Sequence, residues 1–148
     1  MSKRNEVLAR MNRSLFAVVR DFERFRDVFA RQQNVSVTEL RALSRIVEER
    51  QLTPKQLSAS LDLTTGAVTA VTDRLVAAGL ITREPHPSDR RSLLLTPTDA
   101  GKKVMKDVID SYEEMLRRGT VELDDERLEQ FEALLEILVA QGKALQIA

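Results

Sequence analysis

From Asn5 to Phe29, the residues Leu8, Met11, Leu15, Val18, Phe22, Phe25 and Phe29 recur at alternating steps of three and four. That rhythm puts them on one stripe of a long helix. Arg10, Arg13, Arg20, Arg24 and Asp27 fall off the stripe and suit solvent or inter-helix ion pairs. Met105, Val108, Ile109, Tyr112 and Leu116 mark a second amphipathic helix. Leu128, Phe131, Leu135, Leu138 and Leu145 mark a third, with Gly142 filling one seam position. No single helix buries such a seam alone. The terminal helices are therefore expected to pack together across a dimer, with an ordinary intrachain bundle as the alternative.

The middle of the chain is punctuated differently. Ser36-Val37-Thr38-Glu39 is a capping box, opening a helix whose Leu40, Leu43, Ile46 and Val47 face inward. Thr53-Pro54-Lys55-Gln56 is a second, with proline at the first helical position, where its missing N–H costs nothing. That helix is short, with Leu57 and Leu61 as its buried edge before Asp62-Leu63 turn the chain. Thr64 caps the next, which runs to about Ala78 and stops at Gly79. Leu80–Arg83 then reads as a strand, Pro85–Asp89 as a turn, and Ser92–Leu95 as the returning strand. Pro85 and Pro87 rigidify a projecting loop but are not expected inside a sheet. Thr96-Pro97 ends the strand and Thr98 caps a further helix. The fold class that follows is mainly α, made α+β by one small hairpin.

Composition narrows the chemistry. The 148 residues include no Cys, no Trp and one His, which excludes disulfides, thiol nucleophiles and Cys-based zinc sites. Aromatics at 4% are too few for a single-strand stacking platform. The start of the chain lacks an apolar stretch and no run approaches a membrane span, so a cytoplasmic protein is expected. Net charge is zero but unevenly spread: +4 over residues 1–52, +1 over 53–97 and −5 over 98–148. A protein that grips DNA with one face can carry the opposite charge elsewhere.

Short helix, turn, second helix and hairpin together make a winged helix-turn-helix. The second helix must bury one side and offer the other to a major groove. Ala67, Val68, Val71, Leu75 and Ala78 form the inward face; Thr64, Thr65, Gly66, Thr69, Ala70 and Arg74 fall largely opposite. Small and hydroxylated side chains permit close approach to base edges, and arginine grips guanine or phosphate. The competing reading is that Thr64 and Thr65 merely cap while Arg74 pairs with a nearby acid. Asp89-Arg90-Arg91 at the hairpin tip suits a negative minor groove, with a solvated charged triplet as the alternative.

The run Leu63–Thr69, continuing Val71–Leu75 to Gly79-Leu80-Ile81-Thr82-Arg83, resembles the MarR family of bacterial transcriptional regulators. Asp89-Arg90-Arg91 is similar to that family's Asp-x-Arg wing signature, and Thr98-Asp99-Ala100-Gly101 to the start of its following helix. Pro97 departs from the usual Leu, and an early end to the second wing strand would follow. The resemblance spans essentially the whole chain. It implies a homodimeric regulator of double-stranded DNA, acting as a repressor released by a small aromatic or anionic effector. Thr64, Thr65, Gly66, Thr69 and Arg74 would be recognition-helix contacts, Asp89 and Arg91 the wing pair, Arg90 and Lys55 phosphate contacts. Residues 1–34 and 98–148 would be dimerisation helices around a DNA-binding lobe at 35–97, with the wing at about 80–97, all one integrated domain.

Phe22, Phe25, Arg26 and Tyr112 are candidates for an effector pocket, or else core and solvated helix face. His86, between two prolines, reads as exposed and not catalytic. With no nucleophile–base order, phosphate loop or ligand cluster, neither an enzyme nor a cofactor or metal site is expected. The remaining rival is a helical interaction module whose winged helix binds protein.

Overall fold

A computed structural model of the chain describes residues 2–89 and 92–145. Among them lie α1 (Lys3–Gln32), α2 (Val37–Glu48), α3 (Pro54–Leu61), α4 (Thr65–Ala77), β1 (Ile81–Pro85), β2 (Leu93–Pro97), α5 (Asp99–Gly119) and α6 (Asp125–Leu145). The mainly helical fold with a small antiparallel hairpin agrees with the sequence reading. The chain divides into two compact units, with the division between Val108 and Ile109 inside α5.

In the first unit both capping boxes form. Ser36 and Glu39 exchange side-chain-to-backbone bonds at 3.2 and 2.8 Å, and Thr53 and Gln56 do the same at 3.2 and 2.8 Å. Helices α2, α3 and α4 pack on one another and on the hairpin, and Leu43, Ile46, Leu57 and Leu75 of the helices and Ile81 and Leu95 of the strands are almost fully buried. Each such side chain contributes about 1.5–3 kcal/mol on leaving water. Three helix ends use left-handed backbone without glycine, at Asn34, Arg50 and Asp62. After α4 the same task falls to Gly79 at φ 70°. There the Leu80 N–H bonds to Leu75 O at 3.0 Å and the Gly79 N–H to Val76 O at 2.9 Å, a Schellman ending.

The hairpin departs from expectation at its prolines. Strand β1 extends to Pro85, which faces Leu93, and β2 continues through Pro97, which faces Ile81. Pro97 therefore does not shorten the strand. Both prolines sit at strand ends of a two-stranded sheet, where a missing N–H leaves no ladder bond broken. A feature the sequence reading lacked is a bridge from Leu52 to Leu95, with N···O distances of 3.1 and 2.7 Å in the two directions. It fastens the α2–α3 connection to the wing strand.

Helix α1 buries only Phe29 and Ala30 near its C-terminal end, where the Phe25 and Phe29 rings lie 6.1 Å apart. Along the rest, Leu8, Met11, Leu15 and Val18 are each about half exposed. In the second unit Ile109 and Leu116 of α5 are likewise exposed, as are Phe131, Leu134, Leu135, Ile137, Leu138 and Val139 of α6. Seam positions are thus open in each unit.

Candidate nucleic-acid interface

The α3–α4 turn is held by one serine. Ser58 Oγ donates to Leu63 O at 2.6 Å, its own carbonyl accepts from the Leu63 N–H at 3.1 Å, and Asp62 between them takes the left-handed conformation. The Thr64 hydroxyl then accepts from the Ala67 N–H at 3.3 Å, starting α4. No acidic residue occupies the first turn of α4. Its free N–H groups and positive dipole end are thus uncompensated by a carboxylate within the helix.

Thr64, Thr65, Gly66, Thr69 and Ala70 are all exposed. Thr69 turns its hydroxyl onto Thr65 O at 3.0 Å, which leaves its methyl free to point elsewhere. The inward face is Val68, Val71 and Leu75 as expected, with Ala67 partly covered. One assignment changes. Ala78, expected on the inward face, is exposed as the C-cap just past the last helical residue, Ala77. Thr72, assigned to neither face, is buried to 1%. Its hydroxyl donates to Thr69 O at 3.1 Å and accepts from Arg83 at 2.6 Å, so burial leaves no polar group unsatisfied.

Arg83, on β1, also pairs with Asp73 at 2.6 Å. The next residue of α4, Arg74, pairs through Nε with Glu39 at the start of α2. Adjacent residues of one helix are thus tied to two different elements, Asp73 to the wing strand β1 and Arg74 to α2. Burial by itself would raise the Glu39 pKa. The Arg74 hydrogen bond, the Ser36 N–H and the Arg74 charge outweigh it and hold the carboxyl below its ordinary value. Arg74 is both paired with an acid and 58% exposed in its side chain. Sequence reasoning missed Glu39, Thr72, Asp73 and Arg83 as members of this network.

Lys55 is exposed in the first turn of α3. Asp89 is exposed at the wing tip, whereas Arg90 and Arg91 lie outside the described residues. His86 is half-buried, not fully exposed: its Nδ1 accepts from the Ser88 and Asp89 N–H groups at 3.3 and 3.1 Å and so shapes the wing turn. Phe22, Phe25 and Arg26 are half-buried on α1, as is Tyr112 on α5. Among the described residues, no His, Asp and Glu group could hold a metal ion and no helix is long and apolar enough to cross a membrane.

A helix-turn-helix followed directly by an antiparallel hairpin defines a winged-helix protein. The model of the MarR family matches residues 35–93, from the end of the α1–α2 connection into β2. The chain is 33% identical over 105 residues to the uncharacterized HTH-type transcriptional regulator YcgE of Bacillus subtilis, covering 71% of this chain and 68% of that protein. It superposes on a MarR family protein from Bacillus stearothermophilus with a TM-score of 0.80 at 21% identity, covering 97% and 99% of the two chains. A mutant of Staphylococcus aureus MepR bound to an oligodeoxyribonucleotide matches at a TM-score of 0.69 and 20% identity, over 88% and 96%. The chain belongs to the MarR family and is a transcriptional regulator of that family.

Proposed function

We propose that two copies of the chain clamp a pseudo-palindromic double-stranded operator, each with α4 in a major groove and its wing in the adjacent minor groove. The observation that carries this reading is the N-terminal half of α4. Thr64, Thr65, Gly66 and Thr69 stand exposed at a helix end without acidic residues, beside a projecting hairpin. Such a surface accepts phosphate at the helix terminus and lets base edges come close to the helix. Lys55 adds a backbone contact, and Asp89, Arg90 and Arg91 serve the minor groove. The MepR complex supports the same use of the fold.

The open seam of α1 supports dimerisation, as does the apolar surface of α6. Residues 1–34 and 98–148 supply the dimerisation helices, and residues 35–97 the DNA-binding lobe. Two-fold symmetry then sets the half-sites about one helical turn apart. Repression of nearby genes, released by a small aromatic or anionic effector near Phe22, Phe25, Arg26 or Tyr112, completes the reading, in the cytoplasm and without enzymatic activity. The test is footprinting of the DNA upstream of the coding region, with binding measured across a salt series. A protected two-fold site and a steep loss of affinity with salt are expected. Binding indifferent to salt, or none in dilute buffer, overturns the proposal in favour of a protein-binding winged helix.

A further inference from the structure

The Arg74 side chain combines two properties that rarely coincide. Its Nε is committed to Glu39, which has only 7% of its side chain exposed, while 58% of the Arg74 side chain remains in solvent. A guanidinium is a rigid planar fork of five N–H donors. Fixing Nε on a buried acceptor therefore limits the orientations open to the whole group, and both Nη nitrogens keep donors directed away from that bond. Glu39 is itself immobilised: its other carboxylate oxygen accepts from the Ser36 N–H at 2.8 Å, within the capping box that starts α2. The anchor is built from a helix start 35 residues away in sequence. It needs no movement to meet Arg74.

Surface ion pairs contribute little because both partners pay side-chain entropy to meet. Here the acid is already held before the arginine arrives. One residue earlier on α4, Asp73 is tied to Arg83 of β1 at 2.6 Å, a second link that helps hold the helix where Arg74 meets its anchor. The arrangement serves an outward-directed fork better than it serves the core. A carboxylate meant only to cap α2 would be complete with Ser36.

We propose that Glu39 is a positioning residue for DNA recognition, anchoring Arg74 through Nε so that its Nη donors meet a phosphate or guanine edge with little reorganisation. The inference rests on the DNA-binding reading of α4. Glu39→Gln retains an acceptor for the Ser36 N–H but removes the charge that fixes Arg74. Its operator affinity should fall roughly tenfold, within the range set by one oriented arginine contact, while the chain still folds with unchanged oligomeric state and its urea midpoint at neutral pH falls only by the share of stability that the Glu39 carboxylate supplies. In an Arg74→Ala background the Glu39→Gln effect should vanish, which a purely structural role for Glu39 would not produce. Arg74→Lys keeps the charge but loses the fork, and should lose nearly as much affinity as Arg74→Ala.

Full operator affinity in folded Glu39→Gln, or an undiminished effect of that substitution without Arg74, overturns the role given to Glu39. If Glu39→Gln fails to fold, Arg74→Lys decides: wild-type affinity in that variant refutes oriented recognition. Failure of the unaltered chain to bind any upstream DNA is a different result. It removes the DNA reading itself and this inference with it.

Discussion

Gly101→Ala sets two physical effects directly against each other. Gly101 is in the first turn of α5, where alanine is the better helix former by at most about 1 kcal/mol. A β-carbon there would lie 2.1 Å from Leu80 O, 3.1 Å from the Leu80 carbonyl carbon and 3.2 Å from Leu43 Cδ1. Carbon–oxygen contacts close to about 3.3 Å at best, so α5 and the Leu80 backbone must separate by roughly 1 Å. That same carbonyl accepts the Thr98 N–H at 3.0 Å. Thr98 Oγ1 in turn donates to Gly79 O at 2.7 Å and accepts from the Gly101 N–H at 3.1 Å. Overpacking costs about 1–3 kcal/mol and a lost buried hydrogen bond about 1–3 more. Set against the propensity gain, the net loss is centred near roughly 3 kcal/mol. Urea unfolding followed by far-ultraviolet circular dichroism, at fixed protein concentration, measures it. A Gly101→Ala protein as stable as the parent would show that backbone contact does not dictate glycine here.

Arg50 takes φ 65° just after α2, so Arg50→Gly should stabilise by about 0.5–1 kcal/mol, the left-handed penalty exceeding the entropy glycine adds to the unfolded chain; a lowered urea midpoint would contradict this. Leu15, 48% exposed on α1, should tolerate Leu15→Glu within the chain's own fold yet lose self-association, read as halved mass in sedimentation equilibrium; an intact dimer would place the interface elsewhere. Because the Glu39 carboxyl titrates lower folded than unfolded, its contribution is complete above the ordinary carboxylate pKa of 4.5 and is lost as pH falls through the depressed folded value. Glu39→Gln should therefore flatten the acid limb of stability against pH, and an unchanged limb would mean that other carboxylates dominate it.

Local signals carried most of the fold. Ser36 with Glu39 and Thr53 with Gln56 are complete within four residues, so the helix starts they mark could be read without tertiary knowledge. The α1 stripe was equally legible, since its periodicity is one-dimensional. The Leu52–Leu95 bridge was not: it joins single residues 43 positions apart and leaves no pattern in either neighbourhood. Glu39 was hidden for a subtler reason. Its capping role already explains a glutamate at that position, so nothing local advertises its second partner on α4. The burial of Thr72 was not legible because it depends on partners outside the local pattern, its hydroxyl being satisfied by Thr69 and by Arg83 of β1. Pro97 was over-read, since a proline at the end of a two-stranded ladder has no bond to forfeit.

The paired ties at Asp73 and Arg74 have a mechanical consequence. Rolling α4 about its long axis would disturb the link to β1 and the link to α2 together. If α4 enters a major groove as proposed, its threonine row would then resist re-aiming to suit an imperfect groove. On that proposal accommodation would fall to the nucleic acid, and duplexes that deform cheaply would be favoured even at base pairs the protein never touches.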